Sequence, residues 1–310
     1  MSKYSHQPLD FSGLHTIPIQ ERGGKVTTEH FARPYRKGDD FVAALPKLLA
    51  ADSFRAVIEA LRNARISERA ILWGLGGHVI KCGLAPVLID LMNRGYATAF
   101  VLNGASAIHD FEIAIAGQTS EDVEAVLPDG RFGTAEETGR EFNDAIKTDD
   151  AGFGEALGRR LEKIADPRFA AYSLVHEAYR AGTPVTVHVA VGTDTPHTHP
   201  AADGAAIGRA THRDFRLLCS LLRGMNDGGV YLNVGSAVIL PEVFLKAVSV
   251  VRNLGYPLAN FTTVNFDFLQ HYRPRANVVN RPHAKSGGHG YEITGHHEIM
   301  IPLLAAALSE

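Results

Sequence analysis

Hydrophobic positions follow two different spacings along the chain, and each spacing predicts a different element. Between Asp39 and Leu61 apolar residues recur every three to four positions, with an interruption at Asp52 and Ser53. This spacing predicts two amphipathic helices. After residue 69, short apolar runs alternate with glycine-rich turns and helical segments. The alternation of strand, turn and helix predicts a parallel sheet with helices on its faces.

The apolar runs have the length and composition of buried strands, and a long helical excursion over residues 119–182 separates the second run from the third. Helices between the strands predict a doubly wound, mostly parallel α/β sheet of the Rossmann-like type. Residues 1–37 show neither period and are predicted to form an N-terminal arm, with residues 38–310 as a single α/β domain. The predicted strands cover residues 70–73, 97–102, 185–191, 229–234 and 260–265.

Two predicted strands that follow one another open into turns of small residues, Gly74-Leu75-Gly76-Gly77 and Asn103-Gly104-Ala105-Ser106. Backbone amides at a turn from strand to helix favour an anion, and doubly wound sheets bind ligands beyond the carboxyl ends of their strands. These turns predict a nucleotide site, although a tight connection without a ligand is the alternative. The predicted contacts are Gly76, Gly77, His78, Asn103, Gly104, Ala105 and, beyond the fifth strand, Asp267.

Composition and charge narrow the class of partner. The chain has 310 residues, a net charge of -3 and 45% hydrophobic residues, which gives it no general attraction for nucleic acid or anionic lipid. Cys82 and Cys219 lie in apolar, helix-like runs and are predicted to be buried packing residues of a reducing compartment. No signal peptide or membrane-spanning stretch is recognisable. We expect a cytoplasmic protein that binds a small molecule.

Five stretches share an order and spacing with a known family. They are residues 76–84, Asn103-Gly104-Ala105 with Ile108-His109-Asp110, Gly182-Thr183-Pro184-Val185, residues 228–235 and residues 298–307. Taken in order, they resemble the deoxyhypusine synthase family over about residues 40–308. The resemblance implies the NAD-binding fold of that family, oxidation of a small amine, a lysine imine that carries the transferred fragment, and a dimer or tetramer.

The resemblance also places candidate catalytic residues. His109 stands where the family has an acidic residue that receives the polyamine, with Asp110 and Glu112 close by. Lys285 falls near the catalytic lysine of the family, but His283-Ala284-Lys285 replaces its Trp-Gly-Lys. We therefore expect an NAD-dependent enzyme that acts on a small amine or other polar metabolite, and not a true deoxyhypusine synthase.

The chain has fifteen histidines, and more than half of them follow residue 187. His197 and His199 would face the same side of an extended segment, where two imidazoles can reach one metal ion. With Asp194 in the same loop and His188 on the preceding strand, they predict a zinc or iron site. A solvated loop whose histidines form local hydrogen bonds is the alternative.

A C-terminal stretch rich in histidine and arginine is predicted to be a loop that converges with the Asp194 loop on one sheet edge. Its imidazoles would serve as acids or bases near neutral pH, and His283 and Asp194 are predicted catalytic residues. Three classes of function remain open: an NAD-dependent enzyme in which Lys285 forms an imine, a metal-dependent hydrolase-like enzyme, and a non-catalytic nucleotide-binding module. The residues of this stretch are His271, Arg273, Arg275, Arg281, His283, Lys285, His289, His296 and His297.

Overall fold

The computed structural model describes residues 3–147 and 151–309, which divide into two compact units with the boundary after Leu48. The first unit holds two 3-10 turns and a short helix, α1 (Phe41–Ala44). The side chain of Asp40 accepts two backbone amides in the first turn of α1, which caps that helix. Ala44 is the one buried residue among the described residues of this unit.

The second unit contains a six-stranded sheet in which all neighbouring strands are parallel and the order is β3-β2-β1-β4-β5-β6. From β1 the chain adds β2 and β3 on one side, and it then adds β4, β5 and β6 on the other side. The predicted doubly wound, Rossmann-like fold class is therefore confirmed. The strands are β1 (Ile71–Leu75), β2 (Ala99–Asn103), β3 (Val185–His188), β4 (Val230–Val234), β5 (Thr262–Asp267) and β6 (His289–Thr294).

Helices cover both faces of this sheet, as right-handed crossovers between parallel strands require. None of the helices in residues 3–147 and 151–309 combines the length and the apolar character needed to cross a bilayer. The helices of the second unit are α2 (Leu49–Ile66), α3 (Gly77–Lys81), α4 (Ala85–Asn93), α5 (Gly104–Ala116), α6 (Val123–Val126), α7 (Glu136–Lys147), α8 (Phe153–Ile164), α9 (Leu174–Ala181), α10 (Gly204–Leu222), α11 (Ile239–Asn253), α12 (Tyr272–Pro274) and α13 (His297–Ala307), with a π-helical segment, Arg275–Asn280, after α12.

The core lies on both sides of the central strands, and every residue of β1 and β4 is buried. This is the pattern of a parallel sheet that is covered twice. On one face Leu72 and Tyr231 pack against α10 and α11, and the Tyr231 ring stacks on Phe244 with 3.9 Å between centroids. Trp73 lies on the opposite face, where it is fully buried and its Nε1 donates to the carbonyl of Tyr96 at 2.8 Å.

The helical segment that follows the first glycine-rich turn is divided into α3 and α4. Gly83 adopts a left-handed φ of +74°, a conformation that ends α3, and Pro86 lies in the first turn of α4. Cys82 therefore lies at the end of a short helix and is half-buried, so its predicted role as a buried packing residue is wrong. Cys219, within α10, is buried as predicted.

The predicted C-terminal loop contains helical turns and the sixth strand. Because β6 is parallel to β5, with His289 opposite Thr262, the start of β6 lies at the amino-terminal edge of the sheet. His283 and Lys285 precede it at that edge, where the Asn260 amide donates to the carbonyl of Ser286. The predicted convergence of these two residues with Asp194 is wrong, since Asp194 follows the carboxyl end of β3.

Candidate active site

A cavity of about 970 Å³ opens beside α5 at the carboxyl-terminal edge of the sheet. Its walls are formed by one flank of α5, the segment that follows α5, helix α7 and the loop after β3, and we call it the α5–α7 cavity. Two of the predicted catalytic residues, His109 and Asp194, line it together. Other polar lining residues that matter below are Lys81, Glu112, Thr119, Glu121, Glu137, Thr138 and Glu141.

Helix α5 positions the first group of side chains. Asn103 caps its start, because the Asn103 side-chain oxygen accepts the backbone amide of Ser106 at 2.9 Å. His109 and Glu112, three residues apart, lie on the same face of the helix. Gly117 ends the helix in a left-handed conformation with φ of +68°, and the chain then turns so that Thr119 reaches both side chains.

Thr119 links His109 to Glu112 in a chain of hydrogen bonds. The Thr119 hydroxyl donates to Oε2 of Glu112 at 2.5 Å and lies 2.7 Å from Nδ1 of His109. The Thr119 hydroxyl has a single proton, and it donates that proton to Glu112. Nδ1 of His109 must therefore carry a proton and donate it to the Thr119 oxygen. Thr138, from α7, donates to the other Glu112 oxygen at 3.1 Å. Nε2 of His109 is then left with a free lone pair.

Burial lowers the pKa of His109 to about 4, and the nearby ammonium of Lys81 acts in the same direction. The imidazole is therefore neutral at physiological pH. With Nδ1 held by Thr119, its Nε2 can accept a proton from a bound molecule. This arrangement of an acceptor oriented by a second and a third group is typical of a general base.

The cavity carries an excess of negative charge. Five carboxylic acids line it, namely Glu112, Glu121, Glu137, Glu141 and Asp194, against the one lysine, Lys81. Glu141 is neutralised by Arg140 and Arg160. In the described part of the chain, no lysine or arginine forms a salt bridge with Glu112, Glu121 or Glu137. The cavity is suited to a cation.

Asp194 occupies the place beside the second small-residue turn where a phosphate was predicted. A Cβ atom at Gly104 would overlap the Asp194 carboxylate, whose oxygens accept the amide of Ala190 at 3.0 Å and the hydroxyl of Thr193 at 3.3 Å. Burial raises the pKa of Asp194. Because a carboxylate already fills this place, Asn103, Gly104 and Ala105 do not fit a pyrophosphate group.

The two glycines at the end of the first small-residue turn have different neighbours. A Cβ atom at Gly76 would overlap the carbonyl of Gly235, so Gly76 allows the loops after β1 and β4 to touch. Gly77 is half-buried, and a Cβ atom there would lie 3.3 Å from the ring of His109. Gly77 thus places the turn from β1 into α3 directly beside the His109 ring, near the point where strand order reverses.

His78 lies beside the residues that follow β5. The rings of His78 and Phe268 lie 6.4 Å apart, and Phe268 is 46% exposed. Asp267 is buried at the end of β5, with Oδ1 3.9 Å from Nε2 of His297. These three groups lie near the carboxyl ends of β1 and β5, the edge where doubly wound sheets bind nucleotides. Gly77, His78 and Asp267 remain predicted cofactor contacts.

Asp110 faces away from the cavity. It is fully buried, and its carboxylate accepts the Ser173 hydroxyl at 2.6 Å and the amides of Leu174 and Val175 at 2.6 and 2.9 Å. These donors form the start of α9, so Asp110 fixes α9 to α5. Burial raises its pKa to about 6 against the lowering effect of these bonds. The structure gives Asp110 no access to a substrate, and we assign it a structural role.

The three histidines predicted to bind metal do not come together. Residues Thr195–Thr198 form a 3-10 helix instead of an extended segment, which turns His197 and His199 to different sides. His199 contacts Glu136 on α7 at 3.2 Å, and His188 is buried beside Thr186 at 3.1 Å. Among the described residues, the group of metal-binding side chains that does converge consists of His78, Cys82 and Glu298.

The burial of His188 predicts that the folded state loses stability in acid. Burial lowers its pKa from 6.5 to about 3, so below pH 6.5 the unfolded chain binds a proton that the folded chain does not. The folded state should lose stability on this account as pH falls from 6.5 toward 3, by about 3 kcal/mol at pH 4. Urea unfolding at pH 7 and pH 4 should therefore show a smaller acid-induced loss for His188→Gln than for the wild type.

The measurement at His188 has to be separated from the pH effect of another buried group and needs a control variant. Asp214, whose pKa burial raises to about 7, acts in the opposite direction, because the folded chain keeps a proton that the unfolded chain releases between about pH 4 and 7. The difference between wild type and variant removes this contribution. His212→Gln, at an exposed position on α10, is the matched control. Equal acid-induced losses in all three proteins would contradict the burial effect at His188.

Comparison with known proteins supports the fold. AgrE, solved as a ternary complex with ornithine and NAD+, is 16% identical with a TM-score of 0.54, and the match covers 84% of this chain and 33% of AgrE. A LOR/SDH protein of Methanococcus maripaludis S2 is 15% identical with a TM-score of 0.52, covering 89% of this chain and 74% of that protein. No protein-family model matches the sequence, and no curated protein matches it.

A candidate deoxyhypusine synthase of Entamoeba histolytica matches this chain over nearly the full length of both proteins. It is 12% identical with a TM-score of 0.51, and the match covers 89% of this chain and 95% of that one. The chain therefore has the deoxyhypusine synthase-like fold, as the sequence resemblance implied. The part of AgrE that this chain matches is about a third of the length of AgrE.

Proposed function

We propose that the protein is an NAD-dependent enzyme that acts on a small amine bound in the α5–α7 cavity. The observation that carries this proposal is the neutral His109, held by Thr119 and Glu112, in a cavity with five carboxylic acids and one lysine. The cavity volume of about 970 Å³ lies within the usual range for small-molecule sites. AgrE, which shares the fold, was solved with an amine, ornithine, and NAD+.

The charge of the cavity favours the ammonium form of the substrate. An ammonium group beside Glu112 would gain charge-assisted hydrogen bonds that a neutral or anionic ligand cannot form. A phosphorylated or dicarboxylic ligand would meet repulsion from the same groups. Glu112 already accepts from Thr119 and Thr138, and its position is therefore fixed before a ligand arrives.

His109 would relay the proton that the amine must lose. An ammonium nitrogen has no lone pair, so the adjacent carbon becomes a hydride donor only after the nitrogen is deprotonated. With a pKa of about 4 the His109 ring does not keep this proton, and its Nε2 lone pair would pass it from the amine to solvent while Thr119 and Glu112 hold the ring in place. Bound NAD would supply the hydride acceptor for the carbon that carries the amine nitrogen.

Gly77, His78 and Asp267 are the residues we propose for NAD, since they lie at or just after the carboxyl ends of β1 and β5, beside the switch point of the sheet. A Cβ atom at Gly77 would lie 3.3 Å from the His109 ring, so a cofactor at this turn would be next to the α5–α7 cavity. Asp267 offers a buried carboxylate of the kind that accepts ribose hydroxyls. Asn103, Gly104 and Ala105 have no part in this proposal, because Asp194 fills their turn.

Glu112→Gln tests the amine site without changing its shape. The substitution removes the negative charge and one acceptor, and we expect binding of 1,4-diaminobutane, spermidine or ornithine to weaken about 10- to 100-fold. Isothermal titration in the presence of NAD measures the change. Glu59→Gln, at an exposed position of α2 outside the cavity, should bind these amines like the wild type. Equal affinities for Glu112→Gln and wild type would refute the assignment of the amine site.

A further inference from the structure

A second group of reactive side chains lies where the end of α3 meets the start of α13. His78 and Cys82 come from α3 and its last turn, and Glu298 from the first turn of α13. Their donor atoms all lie within 4.8 Å of one another. The α5–α7 cavity includes none of these three residues.

The distances within this group suit one metal ion. The Sγ atom of Cys82 lies 3.2 Å from Nε2 of His78 and 3.8 Å from Oε2 of Glu298. Ligands at the usual zinc bond lengths of about 2.0–2.3 Å, in tetrahedral arrangement, are separated by roughly 3.3–3.8 Å. An ion can therefore be placed between the three atoms with small side-chain adjustments.

The local fold explains how these residues meet. His78 and Cys82 are four residues apart, so α3 presents them on one side. The left-handed Gly83 ends α3 directly after Cys82 and leaves the thiol half-exposed instead of buried in a continuous helix. Glu298 follows His297, which is buried against the carbonyl of Phe266 and so anchors the start of α13. Both sides of the group are held by buried neighbours.

We propose that His78, Cys82 and Glu298 bind a divalent ion of the zinc class, with a fourth position open to water or to a ligand. Nitrogen, sulfur and carboxylate donors are those that zinc takes, and a thiolate disfavours magnesium and calcium. His78 and Glu298 are exposed, so the fourth position faces solvent on the side of Phe268 and His296. Three protein ligands with an open position are typical of zinc sites that take part in chemistry.

Cobalt titration of the purified, untagged protein tests the site. Cobalt(II) replaces zinc in such sites, and a thiolate ligand then gives a charge-transfer absorption band. Because the chain has two cysteines and Cys219 is buried in α10, a band that is lost in Cys82→Ser identifies the ligand. We expect one equivalent of cobalt to bind to the wild type, zinc to displace it, and Cys82→Ser to weaken affinity by more than about 100-fold.

Two further variants distinguish the loss of a metal ligand from the loss of the fold. Glu298→Gln should keep the fold and weaken cobalt binding, whereas His289→Ala, at the amino-terminal edge of the sheet, should bind cobalt like the wild type. Zinc should raise the unfolding temperature of the wild type but not that of Cys82→Ser. A folded wild type without the band, or a band that persists in Cys82→Ser, would overturn the proposal. Cys82→Ser should retain NAD and amine binding, so failure here is distinct from failure of the proposed function.

Discussion

Replacing His109 with alanine is expected to lower amine-dependent reduction of NAD by about 10²- to 10⁴-fold, the usual contribution of a general base. His109 is the one side chain in the α5–α7 cavity that is neutral at physiological pH, oriented through Nδ1 and left with a free lone pair. Its ring lies at the cavity wall and not in the core, so the variant should fold. Initial rates against amine concentration separate the effects on kcat and KM.

The kinetic pattern distinguishes a base from a packing residue. Loss of the base should lower kcat while the affinity for 1,4-diaminobutane, measured by calorimetry, changes little, since Glu112 remains in place. His212→Ala, at an exposed position on α10, is the control and should retain the wild-type rate. A His109→Ala enzyme with the wild-type kcat would show that the proton is taken by another group.

At the neighbouring Asp110, substitution should reduce stability and not turnover. We expect Asp110→Ala to lower the free energy of unfolding by about 3 kcal/mol or more. The substitution removes an acceptor from three buried donors at the start of α9, Ser173, Leu174 and Val175. Urea or guanidinium unfolding, monitored through Trp73 fluorescence, measures the loss.

Asp122→Ala provides a matched control for that experiment. Asp122 also caps a helix, accepting the amide of Ala125 at 3.3 Å, but it lies on the surface, where water can replace it. We expect a loss of about 1 kcal/mol or less there. Turnover per folded molecule should stay near the wild-type value in Asp110→Ala. A stable Asp110→Ala enzyme that has lost turnover would restore the catalytic role predicted from sequence.

The central part of the fold was predictable because the physics there is local. The run at residues 70–73 is continuously apolar, and the run at residues 229–234 is interrupted only by Asn233, which suits strands covered on both faces. β6, His289-Gly290-Tyr291-Glu292-Ile293-Thr294, lies at the sheet edge with one fully buried residue, Ile293, and its polar composition resembles that of a loop. Missing β6 also placed Lys285 at the wrong edge of the sheet.

The candidate site was predictable only in part, because most of it forms through packing between distant segments. His109 and Asp194 were identified from the family resemblance and from the loop after β3. Thr119 and Thr138 were missed, because they meet Glu112 only where the turn after α5 and helix α7 pack on α5. The acidic residues at 112, 121, 137 and 141 were a usable signal of a cation site, since they surround a predicted substrate position.

The metal prediction failed for a related reason. The His-x-His spacing of His197 and His199 indicates a shared face only in an extended chain, and Pro196 lies in the first turn of a 3-10 helix. The group at His78, Cys82 and Glu298 joins residues 216 positions apart in sequence, from Cys82 to Glu298, and no local pattern indicates it. The break at Gly83 that exposes Cys82 was the nearest sequence signal.

The most direct test of the central claim compares two ligands of the same size that differ in charge. Wild-type protein, with and without NAD, is titrated with 1,4-diaminobutane and with 1,4-butanediol, and binding is measured by calorimetry. The diamine should bind at least about 10-fold more tightly than the diol, because charge-assisted hydrogen bonds to Glu112 are available only to the ammonium groups. Equal affinity for the two, or preferential binding of a dicarboxylate such as succinate, would contradict an amine site in the α5–α7 cavity.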